Sequence, residues 1–318
     1  MADPAPVFER LALLGIGLIG SSIARAIRRG GLARHVACYS RSQGTRDRAL
    51  ALGIVDSIHA EPADAVRDAD LVILCTHLGS YAALSRAMAP GLKPGAIVSD
   101  VGSVKGCVFR DVAPALPKGV HLVPGHPVSG TEKSGPDAGF AELFDDRWWI
   151  LTPDADADPD AVARVSAFAA ALGSKVEVMS AQRHDLVLGV TSHLPHLIAY
   201  NIVGTADDLE TVTKGEVIKY SAGGFRDFTR IAASDPEFWR DVFLNNREAV
   251  LEMLGRFTED LIALQRAIRW RQGDVLEEQF TRTRDIRNRI VAAGQETADA
   301  DFGRRGHDAP AKTPEAGD

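Results

Sequence analysis

The stretch that most constrains this chain is LALLGIGLIG, residues 11 to 20, where an apolar run meets Gly15, Gly17 and Gly20 in the spacing GxGxxG and passes straight into SSIARAIRRG. A strand, a tight turn and a helix start must follow one another here. The reason is steric: the first glycine turns the chain sharply, the second lets the backbone approach a pyrophosphate, and the third allows close packing of helix on strand. Phosphates then sit on the helix N-terminus, where unpaired amides and the macrodipole favour an anion. Gly15, Gly17, Leu18, Ile19 and Gly20 are the expected dinucleotide cradle, with a purely structural turn as the alternative reading.

Downstream, strand-like runs alternate with helix-sized segments. HVACYS (35 to 40), DADLVILCTH (68 to 77), KPGAIVSDVGSVK (93 to 105) and GVHLVPGHPVSG (119 to 130) each read as one strand with turn signals around it. WWILTP (148 to 153) and KVEVM (175 to 179) are expected to finish the same sheet. This is the pattern of an α/β doubly wound parallel sheet, a Rossmann domain over 1–178, with ligands outside the carboxyl ends of its strands. From about residue 180 the alternation stops. Residues 179–302 read as an all-α domain for substrate binding and dimerisation, and the Pro-rich, charged tail 303–318 as disordered. Within the helical half, Pro195 is expected to interrupt a helix. Ser234 reads as a cap before Asp235 and Pro236, opening one helix of about thirty residues. So long an amphipathic helix needs cover, which points to a homodimer.

The dinucleotide fingerprint places an acidic residue about 20 positions beyond the glycines, on the adenosine ribose. Ser40 and Arg41 stand there instead. A carboxylate would repel a 2′-phosphate, whereas a hydroxyl and a guanidinium bind one, so the pair favours NADP, with NAD the alternative if Arg41 is only a solvated loop residue. Thr76, at the end of a later strand, belongs to the same crevice.

Charge narrows the partners. With 36 basic and 43 acidic residues, a formal charge of −7, the chain lacks the surface that nucleic acid requires. Cys38, Cys75 and Cys107 are odd in number and form no CxxC, as expected of reduced thiols in a cytoplasm. No signal peptide is expected in MADPAPVFER, and no apolar run of the roughly 20 residues that span a bilayer.

Three polar groups fall at strand ends, Thr76 with His77, Asp100 to Lys105 and His126 to Gly135, and two more fall in the helical half. His126, in PGHPVSGTEKSGP, can serve as a general base because its ordinary pKa lies near neutrality; a surface loop histidine is the other reading. Ser103 could orient His126 or a substrate hydroxyl, or cap a helix; Lys105 pairs naturally with Asp100. His193 and His196, three apart, share a helix face, but no cluster of further ligands makes them a metal site. Arg226, Asp227, Arg230 and Trp239 crowd one turn and helix start, and an arginine there can hold a carboxylate bidentately or join a structural ion pair.

Taken together, GIGLIGSS, DVGSVK, GHPVSGTEKSG, SHLPH and GGFRDFTRIAASDP, in this order over about residues 10 to 290, resemble the prephenate and arogenate (cyclohexadienyl) dehydrogenases of tyrosine biosynthesis. The resemblance implies an NAD(P)-dependent oxidative decarboxylation that yields 4-hydroxyphenylpyruvate or tyrosine. It implies that His126 deprotonates the substrate's C4 hydroxyl with support from Ser103, and that Arg230 binds the ring carboxylate. His196 and Ser192 would stand near the substrate, with Glu132, Asp227 and Trp239 around the entrance. Two other readings share the opening turn: a hydroxyacid dehydrogenase of the β-hydroxyacid type, and a nucleotide sensor without turnover. Neither has a reason to carry the later motifs together.

Overall fold

Strand β1 (Phe8–Leu14) runs into Gly15, and α1 (Leu18–Gly30) begins on Gly17, so the turn forms where its glycines predict. The computed structural model describes residues 7–131, 133–213 and 219–292; Glu132 and the tail 303–318 lie outside the described residues. After α1 come β2 (Ala33–Tyr39), α2 (Gln43–Ala51), β3 (Ser57–His59), α3 (Pro62–Ala65) and β4 (Leu71–Leu74). The order continues through α4 (Tyr81–Met88), β5 (Ile97–Asp100), α5 (Gly106–Asp111) and β6 (His121–Leu122). The six strands form a parallel sheet in the order β3-β2-β1-β4-β5-β6. The order reverses between β1 and β4, which puts the crevice for a ligand beyond the carboxyl ends of those two strands.

Continuous apolar strands are the price of covering a sheet on both faces. Leu11 and Leu13 of β1 enter one core with Phe8, Phe144, Trp149 and Phe168, while Ala12 and Leu14 enter the other with Tyr81, Trp239 and Val242. Each fully buried leucine contributes roughly 1.5–3 kcal/mol by leaving water.

The predicted single strand over 119–130 is two strands in two sheets. Val123 still donates to Val98, but Pro124 has no N–H to continue the ladder, and the chain turns away. It re-forms as β7 (Gly125–Pro127), antiparallel to β8 (Trp148–Leu151). After α6 (Pro159–Ala171), β9 (Lys175–Val178) pairs parallel to β8, so these strands make a separate three-stranded sheet rather than finishing the first.

The helical half departs from expectation in three places. Pro195 does not interrupt the helix: α7 (Ala181–Leu188) passes through a π turn (Gly189–His193) into α8 (Leu194–Thr213). The wider i→i+5 turn, closed by Leu194 N–H on the Gly189 carbonyl, comes just before the residue whose N–H is missing. After α9 (Gly223–Thr229), Asp235 rather than Ser234 caps the next helix, accepting from the amides of Glu237 and Phe238. The expected thirty-residue helix is α10 (Pro236–Asn245) and α11 (Arg247–Arg269), followed by α12 (Gly273–Ile290). It breaks at Asn246, whose side chain turns inward to bond the Asp185 carbonyl and His193.

The continuous helical stretch Ala181–Asp208 also corrects the expectation about membranes: by length and composition alone it could cross one. Only 22% of that apolar window is buried, but His184, Asp185 and His193 on it are hydrogen-bonded to other segments of the protein. Contacts divide the chain into two compact units, Met1–Leu254 and Gly255–Asp318. The second exposes Leu261, Ile262, Ile268, Trp270 and Phe280, each at least 46% accessible.

Candidate active site

At the glycine turn the backbone leaves different amounts of room at each position. A Cβ on Gly15, where φ is +111°, would lie 2.5 Å from the Cys75 carbonyl oxygen, and one on Gly20 would meet the Gly15 carbonyl at 2.3 Å. Gly17 faces open space, with nothing within 4 Å of a built Cβ. No acidic residue stands in the first turn of α1. An open glycine and a helix N-terminus free of negative charge fit a dinucleotide pyrophosphate. Thr76 lies against the turn and accepts from Ser80 Oγ at 2.8 Å. At the end of β2, buried Arg46 grips the carbonyls of Ser40 and Arg41, shaping the loop while Arg41 itself stays exposed.

The second part of the site is built on a buried charge. Asp100, at the end of β5, accepts from Lys105 Nζ (2.5 Å), Gly102 N (2.8 Å), Tyr81 Oη (3.1 Å) and Gly125 N (3.2 Å). Lys105 Nζ also donates to the Gly125 carbonyl at 2.5 Å, and both members of the pair are inaccessible to water. A paired and fully hydrogen-bonded charge of this kind holds a geometry. Here it clamps the end of β5 to the residue before His126.

His126 is therefore no surface loop residue: it sits in β7, paired with Ile150 and 7% exposed. Its Nδ1 lies 2.8 Å from His184 Nε2, and His184 Nδ1 donates to Asp185 Oδ1 at 2.8 Å. Burial, with help from the charges of His184, Lys105 and His193, holds the His126 imidazole well below its ordinary pKa. Burial lowers His184 too, although its hydrogen bond to Asp185 works the other way. His193 is pushed down to about 4, chiefly by burial. Its Nδ1 meets Asn246 Nδ2 at 2.9 Å.

His196 stacks on Trp239 at 3.6 Å between ring centroids, and its Nδ1 donates to the Ser192 carbonyl. Burial and the nearby charge of Arg230 lower its pKa. Trp239 is 6% exposed and forms a buried platform for both His193 and His196, not part of an entrance. Ser103 does not cap α5; Lys105 occupies that position, and the Ser103 backbone lies against His193. Asp227 stays apart, exposed and 3.7 Å from Arg226. One element ties the two parts together. Helix α10 carries Trp239, packs Phe238 against His77, and through Asp241 accepts from Gly79 N at 2.9 Å.

His184, Asp185, Asp241 and Asn246 are absent from the sequence reading. Their partners lie 58, 79, 162 and 53 positions away, and no local spacing announces them.

Comparison with known proteins agrees with this geometry. Residues 23–178 match the family profile described as prephenate dehydrogenase, nucleotide-binding domain, and residues 180–282 that described as prephenate dehydrogenase, dimerization domain. The chain is 44% identical to a cyclohexadienyl dehydrogenase of Zymomonas mobilis over 88% of its own length and 96% of that protein's. A crystal structure of prephenate dehydrogenase from Aquifex aeolicus, in complex with hydroxyphenyl propionate and NAD+, superposes with a TM-score of 0.83 at 34% identity, covering 89% of this chain and 98% of that one. A Synechocystis arogenate dehydrogenase structure gives 0.74 at 27% identity, covering 89% and 100%. A dinucleotide turn and a buried histidine cluster, followed by two matching profiles and these relatives, place the chain in the prephenate dehydrogenase family.

Proposed function

We propose that this dehydrogenase oxidatively decarboxylates prephenate, arogenate or both, and that His126 is the base. The observation that carries the proposal is His126 itself, a neutral imidazole buried beside the carboxyl ends of the sheet and clamped there through Gly125. When bound, the nicotinamide supplies the acceptor for a hydride from C4. The chain's own part is to take the C4 hydroxyl proton on His126, align the ring and exclude water. Loss of carbon dioxide then makes the ring aromatic, which drives the step forward.

Arg230, close enough to His196 for its charge to be felt there, is suited to the ring carboxylate. His196 and Ser192, on one turn of helix above Trp239, would line the same pocket with Ser103, and Asp227, exposed beside Arg226, would serve where the substrate enters. Ser40 and Arg41 favour NADP: the loop carbonyls are already occupied by Arg46, and Arg41 is left exposed for a 2′-phosphate. The exposed apolar side chains of α11 and α12 support a homodimer, which sedimentation at micromolar concentration would test. Burial drives the thiols of Cys38 and Cys107 up to about 12 and that of Cys75 higher, so they stay protonated, in keeping with a cytoplasmic enzyme.

Initial rates with prephenate and arogenate, each with NAD and NADP, test the reading by the absorbance of reduced cofactor. Turnover with either acid is expected, faster with NADP. Silence in all four with dinucleotide still bound would favour a sensor.

A further inference from the structure

Starting from His126 as the base, we infer that His184 and Asp185 complete a proton relay that sets its reactive tautomer and takes over the proton it removes. The inference rests on that reading of His126, and its hydrogen-bond logic starts at Asp185. The Asp185 carboxylate accepts the backbone amides of Lys105 (2.7 Å) and Gly106 (2.8 Å), and a carboxylate in this role only accepts. His184 Nδ1, 2.8 Å away, must therefore carry a hydrogen. In the neutral ring its Nε2 is then an acceptor, so the hydrogen between the two histidines belongs to His126 Nδ1. His126 Nε2 is left with a lone pair. The tautomer of the base is thus dictated by a carboxylate two hydrogen bonds away.

The same chain answers a difficulty in the chemistry. His126 is a poor resting place for a proton, being buried and facing Lys105, His193 and His184. His184 faces Lys105 as well, but also Asp185 and Asp100, whose negative charges favour an imidazolium there. In the relay the substrate O–H bond breaks as an N–H bond forms at His126 Nε2, and the His126 Nδ1–H bond breaks as one forms at His184 Nε2. His126 ends neutral in its other tautomer, and the positive charge ends on His184 beside Asp185. Of the three, His184 is inaccessible, whereas the Asp185 side chain is 14% exposed, which marks the side from which the proton reaches water.

Single-turnover rates of the full-length enzyme with dinucleotide and whichever acid it turns over provide the test, measured in mixtures of light and heavy water. His184→Gln keeps an acceptor for His126 but cannot carry a proton. The rate should fall at least about 10-fold with KM and dinucleotide affinity changed less than about 2-fold. The rate of the wild type should depend on the heavy-water fraction along a curve, from two protons in flight, and that of His184→Gln along a straight line. His126→Asn combined with His184→Gln should lose no more than His126→Asn alone, because the two act as one unit. If His184→Gln does not fold, Asp185→Asn replaces it with the same expected loss and straight line. A variant as fast as wild type, with the curvature intact while His126→Asn is inactive, would overturn the relay; an active His126→Asn would instead overturn the assignment of the base.

Discussion

Around the turn from Gly15 to Gly20 the surface offered to a ligand is main chain, and its shape follows from where a Cβ does or does not fit. Around His126 it is mostly buried side chain: four imidazoles, an indole and a lysine–aspartate pair, joined by contacts between segments far apart in sequence such as His126 with His184 and His193 with Asn246. The first region binds by geometry that any sequence with the right glycines can reproduce. The second works by electrostatics that exist only once burial has removed water, which is why its histidines are neutral and its ion pair has no solvent to compete with it.

Breaking the side-chain region should cost most where chemistry is lost. His126→Asn is expected to lower turnover by at least about 100-fold while substrate and dinucleotide still bind, read by steady-state rates beside equilibrium binding. A nearly normal rate would remove His126 from its role.

Acid should act next, on the histidines of that region and on two in the main sheet, His35 and His59. His35, His59, His126, His184, His193 and His196 are all held below the ordinary histidine value, with burial the main cause. As pH falls below about 6.5 the unfolded chain takes up protons that these folded imidazoles refuse, so stability falls with pH. His193, with a folded value of about 4, accounts by itself for about 3 kcal/mol between neutrality and its own titration. Urea unfolding at a series of pH values measures this, and a flat profile would mean the imidazoles are not buried as described.

The glycine region should fail differently at neighbouring positions. Gly20→Ala forces a Cβ against the Gly15 carbonyl and should cost roughly 1–3 kcal/mol of stability as well as dinucleotide affinity. Gly17→Ala has room in the fold, so its melting temperature should stay put while dinucleotide affinity drops. Equal melting losses at both positions would undo the distinction. Arg230→Ala should raise KM for the acid by about 10-fold or more, the value of a charge-assisted hydrogen bond, with a smaller effect on kcat. The smallest effect belongs to Arg41→Ala, a loss of about 10-fold or less in affinity for NADP with none for NAD.

Legibility follows the same division. The strand, turn and first helix were readable because glycine spacing is a local steric demand, and the two-sided burial of β1 shows as an unbroken apolar run. Lys105 and Asp100 were readable as partners because five positions separate them. The π turn before Pro195 was not, since proline alone predicts a break and says nothing of a wider turn that accommodates it. Nor was the break at Asn246, which depends on Asp185 and His193 lying underneath.

From its sequence alone this chain was bound to form a glycine-turn α/β domain followed by helices, because chain sterics and apolar periodicity act over a few residues. Only the tertiary structure decided that His126 leaves the main sheet for β7, that His184 stands behind it, and that Trp239 lies beneath His196. Those choices depend on burial and on hydrogen bonds between distant segments, and neither exists until the chain has folded.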